Sequence, residues 1–153
     1  MPEAEIKLDN LSKCLEEAYL LYFNTRKDIK LNLIKPENDI YFHFDTLQIS
    51  RCFNNLIKNA IEAVEKIPNP AVEVLMTTDA KNIKIEIKDN GVGIDEKMLS
   101  KIFEPYFTTK TKGTGLGLSI VKRIIEDHGG KIKIEKNKNM AGTKSLINFE
   151  YNA

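Results

Sequence analysis

The sequence predicts an α+β domain, a two-layer sandwich in which a mixed, mostly antiparallel sheet carries helices on one face. Three observations lead there. Short runs of alternating apolar and polar residues come in pairs, at 29–33 and 41–44, at 72–76 and 83–87, and at 131–136 and 143–150. Segments with helical spacing separate the pairs, over 10–25, 46–66 and 116–127. The chain has 153 residues, 42% of them apolar and 29% charged, which suits one compact domain with a real core.

Each element has its own signal. Leu11, Leu15, Ala18, Tyr19 and Tyr22 recur at helical spacing. Ile29, Leu31 and Leu33 alternate with Lys30 and Asn32, and Tyr41 to Phe44 form a second short strand after a turn at Pro36, Asn38 and Asp39. Asp45, with Gln48 three residues on, resembles a capping box opening a long helix that Pro68 and Pro70 end after about Lys66. Val72, Val74 and Met76 face Ile83, Ile85 and Ile87 across a hairpin at Asp79–Asn82. A sharp loop at 89–93 leads to a short helix from Glu96 to Phe103. Residues 104–114 show no periodicity and are expected to form a mobile loop. The helix from Leu116 stops after Asp127, with Gly129 as the glycine past its end. Two last strands flank a turn at Asn137–Gly142.

Composition excludes several classes. A net charge of +1 and the lack of a basic run argue against a nucleic-acid partner. The two cysteines, Cys14 and Cys52, have no spacing for zinc, and low cysteine use is compatible with a reducing cytoplasm. No apolar stretch approaches the roughly 18 residues a membrane span requires, so no direct membrane contact is expected.

Three patterns carry candidate chemistry. Gly113-Thr114-Gly115-Leu116-Gly117 opens a helix, where unpaired N–H groups and the helix dipole suit a phosphate. It lacks Walker A spacing, and no strand leads into it as in a dinucleotide fingerprint. Asp89 ends a strand immediately before Asn90-Gly91-Val92-Gly93-Ile94, well placed to accept a hydrogen bond from an exocyclic amine. Asn55, Asn59 and Glu62 share one helix face, and the oxygens of the two asparagines suit a role such as a Mg²⁺ contact. Taken singly, each pattern is equally a flexible loop, an ordinary Asn-Gly turn or a solvated helix face.

Together, and in this order, they resemble the sensor histidine kinases. Residues 55–60 (NLIKNA) are similar to that family's N box, 89–94 (DNGVGI) to its G1 box, 103–107 (FEPYF) to its F box and 113–118 (GTGLGL) to its G2 box. The resemblance covers about residues 10–150, and the run 103–130 is most similar to the nitrogen-regulation kinases of the NtrB/NtrY type. It implies the Bergerat-type ATP-binding sandwich shared with gyrase- and Hsp90-type ATPases, with ATP and Mg²⁺ as cofactors. By the same resemblance Asp89 reads the adenine amine, Gly91 and Gly93 shape the pocket floor, Ile94 is a further nucleotide-binding residue, and Thr143 helps to hold the base. Asn59 contacts Mg²⁺ and Asn55 the phosphate side; these two are the catalytic candidates. Phe107 belongs to the base of a lid, and Gly113, Thr114, Gly115, Leu116, Gly117 and Leu118 wrap the phosphates. The implied partners are a histidine-bearing dimerisation domain of a parent kinase and a response regulator. The isolated domain is then a monomer, and the parent a homodimer that is free to be membrane-anchored. Residues 1–25 are expected to be a leading helix after the dimerisation domain, and 26–153 the ATP-binding domain.

Two departures stand out. Many members have a basic residue where Glu62 stands, so Lys110 or Lys112 is expected to supply the charge near the phosphates. Neither His43 nor His128 has the His-Glu/Asp context of the family's acceptor helix, and both are expected to be structural or exposed. The competing readings are a serine kinase of the anti-sigma-factor type, a non-catalytic nucleotide-binding module and a gyrase-like ATPase. Asn55 weighs against the last, since an amide cannot act as a general base near neutral pH.

Overall fold

The structure, a computed structural model, describes residues 3–107, 117–138 and 141–151. Strand β1 (Lys7–Asn10) runs directly into α1 (Leu11–Thr25), whose start is capped by Asn10 accepting the Lys13 N–H at 2.9 Å. The inward face of α1 carries Leu11, Leu15, Ala18 and Tyr19, as the spacing predicts. Tyr19 donates its hydroxyl to the Leu31 carbonyl at 2.9 Å, which fixes α1 on the first strand of the main sheet. Strands β2 (Lys30–Ile34) and β3 (Tyr41–Phe44) follow, then α2 (Thr46–Val64), β4 (Ala71–Thr78), β5 (Asn82–Asp89), α3 (Glu96–Leu99), α4 (Gly117–Asp127), β6 (Lys131–Lys136) and β7 (Thr143–Glu150).

The main sheet has the order β2-β4-β5-β7-β6. β2 runs parallel to β4, and every other pairing in it is antiparallel. This is the mixed, mostly antiparallel sheet expected. The difference from expectation lies in β3, which leaves this sheet and pairs with β1 in a two-stranded ribbon, Leu8 opposite His43. The path from β2 to β4 is therefore a crossover through β3 and α2, as a parallel pair requires.

α2 lies on β4 and β5 between α1 and α4. Phe53, Leu56, Ile57 and Ile61 are fully buried along it, each contributing about 1.5–3 kcal/mol over an exposed position. They meet Ile83, Ile85, Ile147 and Phe149 from the sheet in one core. Cys14 and Cys52 are free and buried in that core, and burial pushes both thiols up to about 12, so neither is a reactive thiolate.

The element ends follow local chemistry. Asp45 Oδ1 accepts the Gln48 N–H at 3.1 Å, and Oδ2 accepts the Glu5 N–H at 2.8 Å. The reciprocal half of the expected capping box is absent, because the Asp45 N–H donates instead to His128 Nε2 at 3.0 Å. α2 ends at Val64, two residues before the expected stop, and Asn69 at φ 56° turns the chain before Pro70. α3 is a single turn where the sequence suggested a helix to Phe103; turns continue beyond it. At the end of α4, Gly129 at φ 74° sends its N–H to the Glu126 carbonyl, and Gly130 sends its own to Ile125.

Candidate active site

The site forms where the ends of β5 and β7 meet the flank of α2. Asp89, the last residue of β5, is buried. Its Oδ1 accepts the Gly91 N–H at 2.9 Å and the Thr143 N–H at 3.4 Å. Burial raises its pKa, and those two bonds oppose the rise.

Two asparagines bind the main chain around it. Asn90 donates its N–H to the Ala71 carbonyl, and its side chain accepts from Ala71 N at 2.9 Å and donates to the Asn69 carbonyl at 2.8 Å. Asn137 Nδ2 donates to the Asp89 carbonyl at 2.7 Å and to the Ala141 carbonyl at 3.2 Å. Sequence reading treated both only as turn residues. Their partners lie up to 48 positions away, and no local pattern announces such reach.

Glycines here are required by close approach. A Cβ on Gly91 would sit 2.4 Å from the Ala63 carbonyl oxygen of α2, and one on Gly142, at φ 107°, would sit 1.9 Å from the Asp89 carbonyl oxygen. Beside them opens a cavity of about 500 Å³ lined by Val92, Gly93, Ile94, Asp95, Lys136, Asn137, Ala141 and Gly142. Gly93 and Ile94 thus line this cavity, Gly91 does not, and Lys136 in its lining pairs with Glu96 at 3.5 Å.

The second half of the site lies on α2. Asn59 Nδ2 donates to Asn55 Oδ1 at 3.1 Å, so the two carboxamides form one unit. Gly117, the first residue of α4, rests on Asn55: a Cβ there would be 2.7 Å from Asn55 Nδ2. The N-terminus of α4 is thereby set over the amide pair, an arrangement suited to anionic oxygen.

Other expected residues fall differently. Leu118 packs against the hydrophobic core. Phe107 is half-exposed just after Tyr106, whose φ is 69°. Lys110, Lys112, Gly113, Thr114, Gly115 and Leu116 lie outside the described residues. His43 is exposed on β3, while both ring nitrogens of His128 are in use, Nδ1 donating to the Ile124 carbonyl at 2.7 Å and Nε2 accepting from Asp45.

Residues 44–152 match the family of histidine kinase-, DNA gyrase B- and HSP90-like ATPases. Sporulation kinase A of Bacillus subtilis (strain 168) is 41% identical over 92% of this chain and 23% of its own length. Nitrogen regulation protein NtrY of Azorhizobium caulinodans is 40% identical over 60% of this chain and 12% of its own length. The solved catalytic domain of histidine kinase ThkA is 34% identical and superposes with a TM-score of 0.85 over 95% of both chains. ThkA in complex with response regulator protein TrrA gives a TM-score of 0.82 at 28% identity, over 97% of this chain and 42% of that one. The chain spans less than a quarter of the length of these curated relatives. It belongs to the histidine kinase-, DNA gyrase B- and HSP90-like ATPase family, as a catalytic domain of the histidine kinase kind.

Proposed function

We propose that this domain binds Mg-ATP and transfers its γ-phosphoryl group to a histidine on the dimerisation domain of a parent sensor kinase, from which the group passes to a response regulator. The observation that supports this best is the buried Asp89 carboxylate, held at a strand end beside the cavity. Its Oδ1 is engaged by two N–H groups, which leaves Oδ2 to accept the exocyclic amine of adenine. Gly93 and Ile94 shape the floor beneath the base, and Thr143 closes its side.

Among the described residues no group of three His, Cys, Asp or Glu side chains could hold a metal ion. Mg²⁺ takes oxygen ligands and keeps several waters, and the residue that would hold it beside the phosphates is Asn59. When bound, the ion supplies neutralisation of charge on the phosphate oxygens. Asn55 orients Asn59, and the N-terminal turn of α4 offers main-chain N–H groups to the phosphates. The same reading assigns phosphate contacts to residues 113–117 and the cation that Glu62 cannot supply to Lys110 or Lys112; 108–116 lie outside the described residues. Phosphoryl transfer needs positioning and charge stabilisation more than covalent help from the protein. Asn55, an amide, does not activate water, so the γ-phosphoryl is kept for the protein acceptor.

Residues 1–25 lead in from the dimerisation domain, although the inner face of α1 shares the core of the rest. The isolated domain is monomeric, its parent dimeric. Among the described residues no helix is long and apolar enough to cross a membrane, and with both cysteines free we assign the domain to the cytoplasm.

Incubation with labelled ATP tests this. The chain alone is expected to take up no acid-labile, base-stable phosphate, and to label a supplied acceptor-histidine domain of its parent. Labelling of His43 or His128, or brisk phosphate release that Asp89→Ala abolishes, would replace the kinase reading with self-phosphorylation or with an ATPase.

A further inference from the structure

Asn137 stands outside every motif in the sequence, yet its side chain reaches the residue on which base recognition turns. The antiparallel register between β5 and β7 ends at Lys88↔Lys144. One position on, the ladder is replaced. Asn137 Nδ2 takes the Asp89 carbonyl at 2.7 Å, while the Thr143 N–H, at 3.4 Å, reaches the Asp89 carboxylate. The second N–H of the same amide takes the Ala141 carbonyl at 3.2 Å, and the Asn137 main-chain N–H donates to the Gly142 carbonyl at 3.2 Å. Both amide protons are thus used, and the turn joining β6 to β7 is drawn onto the end of β5. Gly142 touches the Asp89 carbonyl so closely that no side chain fits between them.

We infer that Asn137 is a positioning residue for adenine recognition. By satisfying the Asp89 carbonyl it frees the Thr143 N–H to hold the carboxylate, and so fixes where Oδ2 meets the base. Without the Asn137 amide the Asp89 carbonyl loses its side-chain donor and competes for the Thr143 N–H. Oδ1 then keeps only the Gly91 N–H, and the carboxylate is free to rotate. The inference rests on the assignment of Asp89 to the adenine amine.

The test compares ADP with inosine diphosphate, which carries a carbonyl oxygen in place of the exocyclic amine. Calorimetry on the wild-type chain is expected to show tighter binding of ADP, a preference that Asp89→Ala removes. Asn137→Ala is expected to narrow it by about tenfold, mainly by weakening ADP and not inosine diphosphate. The double variant should be no less selective than Asp89→Ala alone, because Asn137 acts through that carboxylate. Asn137→Ser, which keeps one donor, serves if Asn137→Ala does not fold, and should narrow the preference by less. A purely structural role would lower the melting temperature and weaken both nucleotides alike, and that result would overturn the inference. Selectivity lost in Asp89→Ala but intact in the Asn137 variants would also overturn it. Selectivity unchanged by Asp89→Ala would instead remove the adenine assignment beneath it.

Discussion

The strand end of the site and its helix end are held by different kinds of contact. Around Asp89 every contact has main chain on at least one side, and the closest approaches are main chain on main chain. Gly142 touches the Asp89 carbonyl, Gly91 touches the Ala63 carbonyl, and Asn90 and Asn137 tie the flanking backbone to β4 and to the β6–β7 turn. On α2 the contacts are side-chain amides, Asn59 on Asn55 and Asn55 against Gly117. Backbone cannot yield by a rotamer change, whereas a carboxamide can. The strand end is therefore a fixed gauge suited to discriminating a base. The helix end is adjustable, which on the proposed reading suits phosphates that change charge and position during transfer.

Substitution at the glycines sharpens this contrast most. Gly142→Ala places a methyl group on a carbonyl oxygen at a φ that side chains resist, and should cost about 3 kcal/mol of stability, with loss of nucleotide binding. Denaturant unfolding measures it, and a near-neutral result would mean that the strand end yields as easily as the helix end.

Asp89 comes next. Asp89→Ala should weaken nucleotide binding roughly 10- to 100-fold by calorimetry, from one lost charge-assisted hydrogen bond. Asp89→Asn should act oppositely on the nucleotide-free protein. Burial raises the native pKa of Asp89 above its ordinary value, so ionising the carboxyl costs stability, a penalty complete once the pH exceeds that raised value. The penalty is absent below the unfolded-state pKa near 3.8 and grows as pH rises through the native one. Asp89→Asn should therefore melt slightly higher than the parent at pH 7, with the gap closing toward pH 4. A constant gap would assign the gain to packing.

Gly117→Ala has the smallest effect on stability. Alanine is the better helix former by about 1 kcal/mol, which offsets displacing the Asn55 amide, so melting should change little. Phosphoryl transfer to an acceptor domain should still fall, roughly tenfold or more, because Asn55 orients Asn59. Unchanged transfer would leave the amide pair a structural detail.

Period-two alternation in β4 and β5 and the inward stripe of α2 were legible because burial on one face demands them. β1 was not: Lys7–Asn10 holds one apolar residue, and the strand exists because β3 offers it an edge. Nothing local distinguishes a parallel β2 from an antiparallel one, since both alternate. Asp89, Asn55 and Asn59 were legible as polar groups where an ordinary strand or helix has little use for them. Asn90 and Asn137 were not, because asparagine is at home in any turn and only the fold shows which carbonyl it meets. Leu118 was assigned to the phosphate wrap by its place in a motif, while its side chain serves the core.

α4 is fastened to α2 at both ends, by Gly117 against Asn55 and by His128 beneath the Asp45 N–H. With both its ring nitrogens spoken for, His128 makes the far end a pivot, and the 11 residues of α4 become a lever about 16 Å long. A shift of about 1 Å at the Gly117 end would then be a swing of about 4° around that pivot instead of a slide. Such a swing would displace the surfaces beside Gly117 and leave in place the β1–β3 ribbon, which lies against His128.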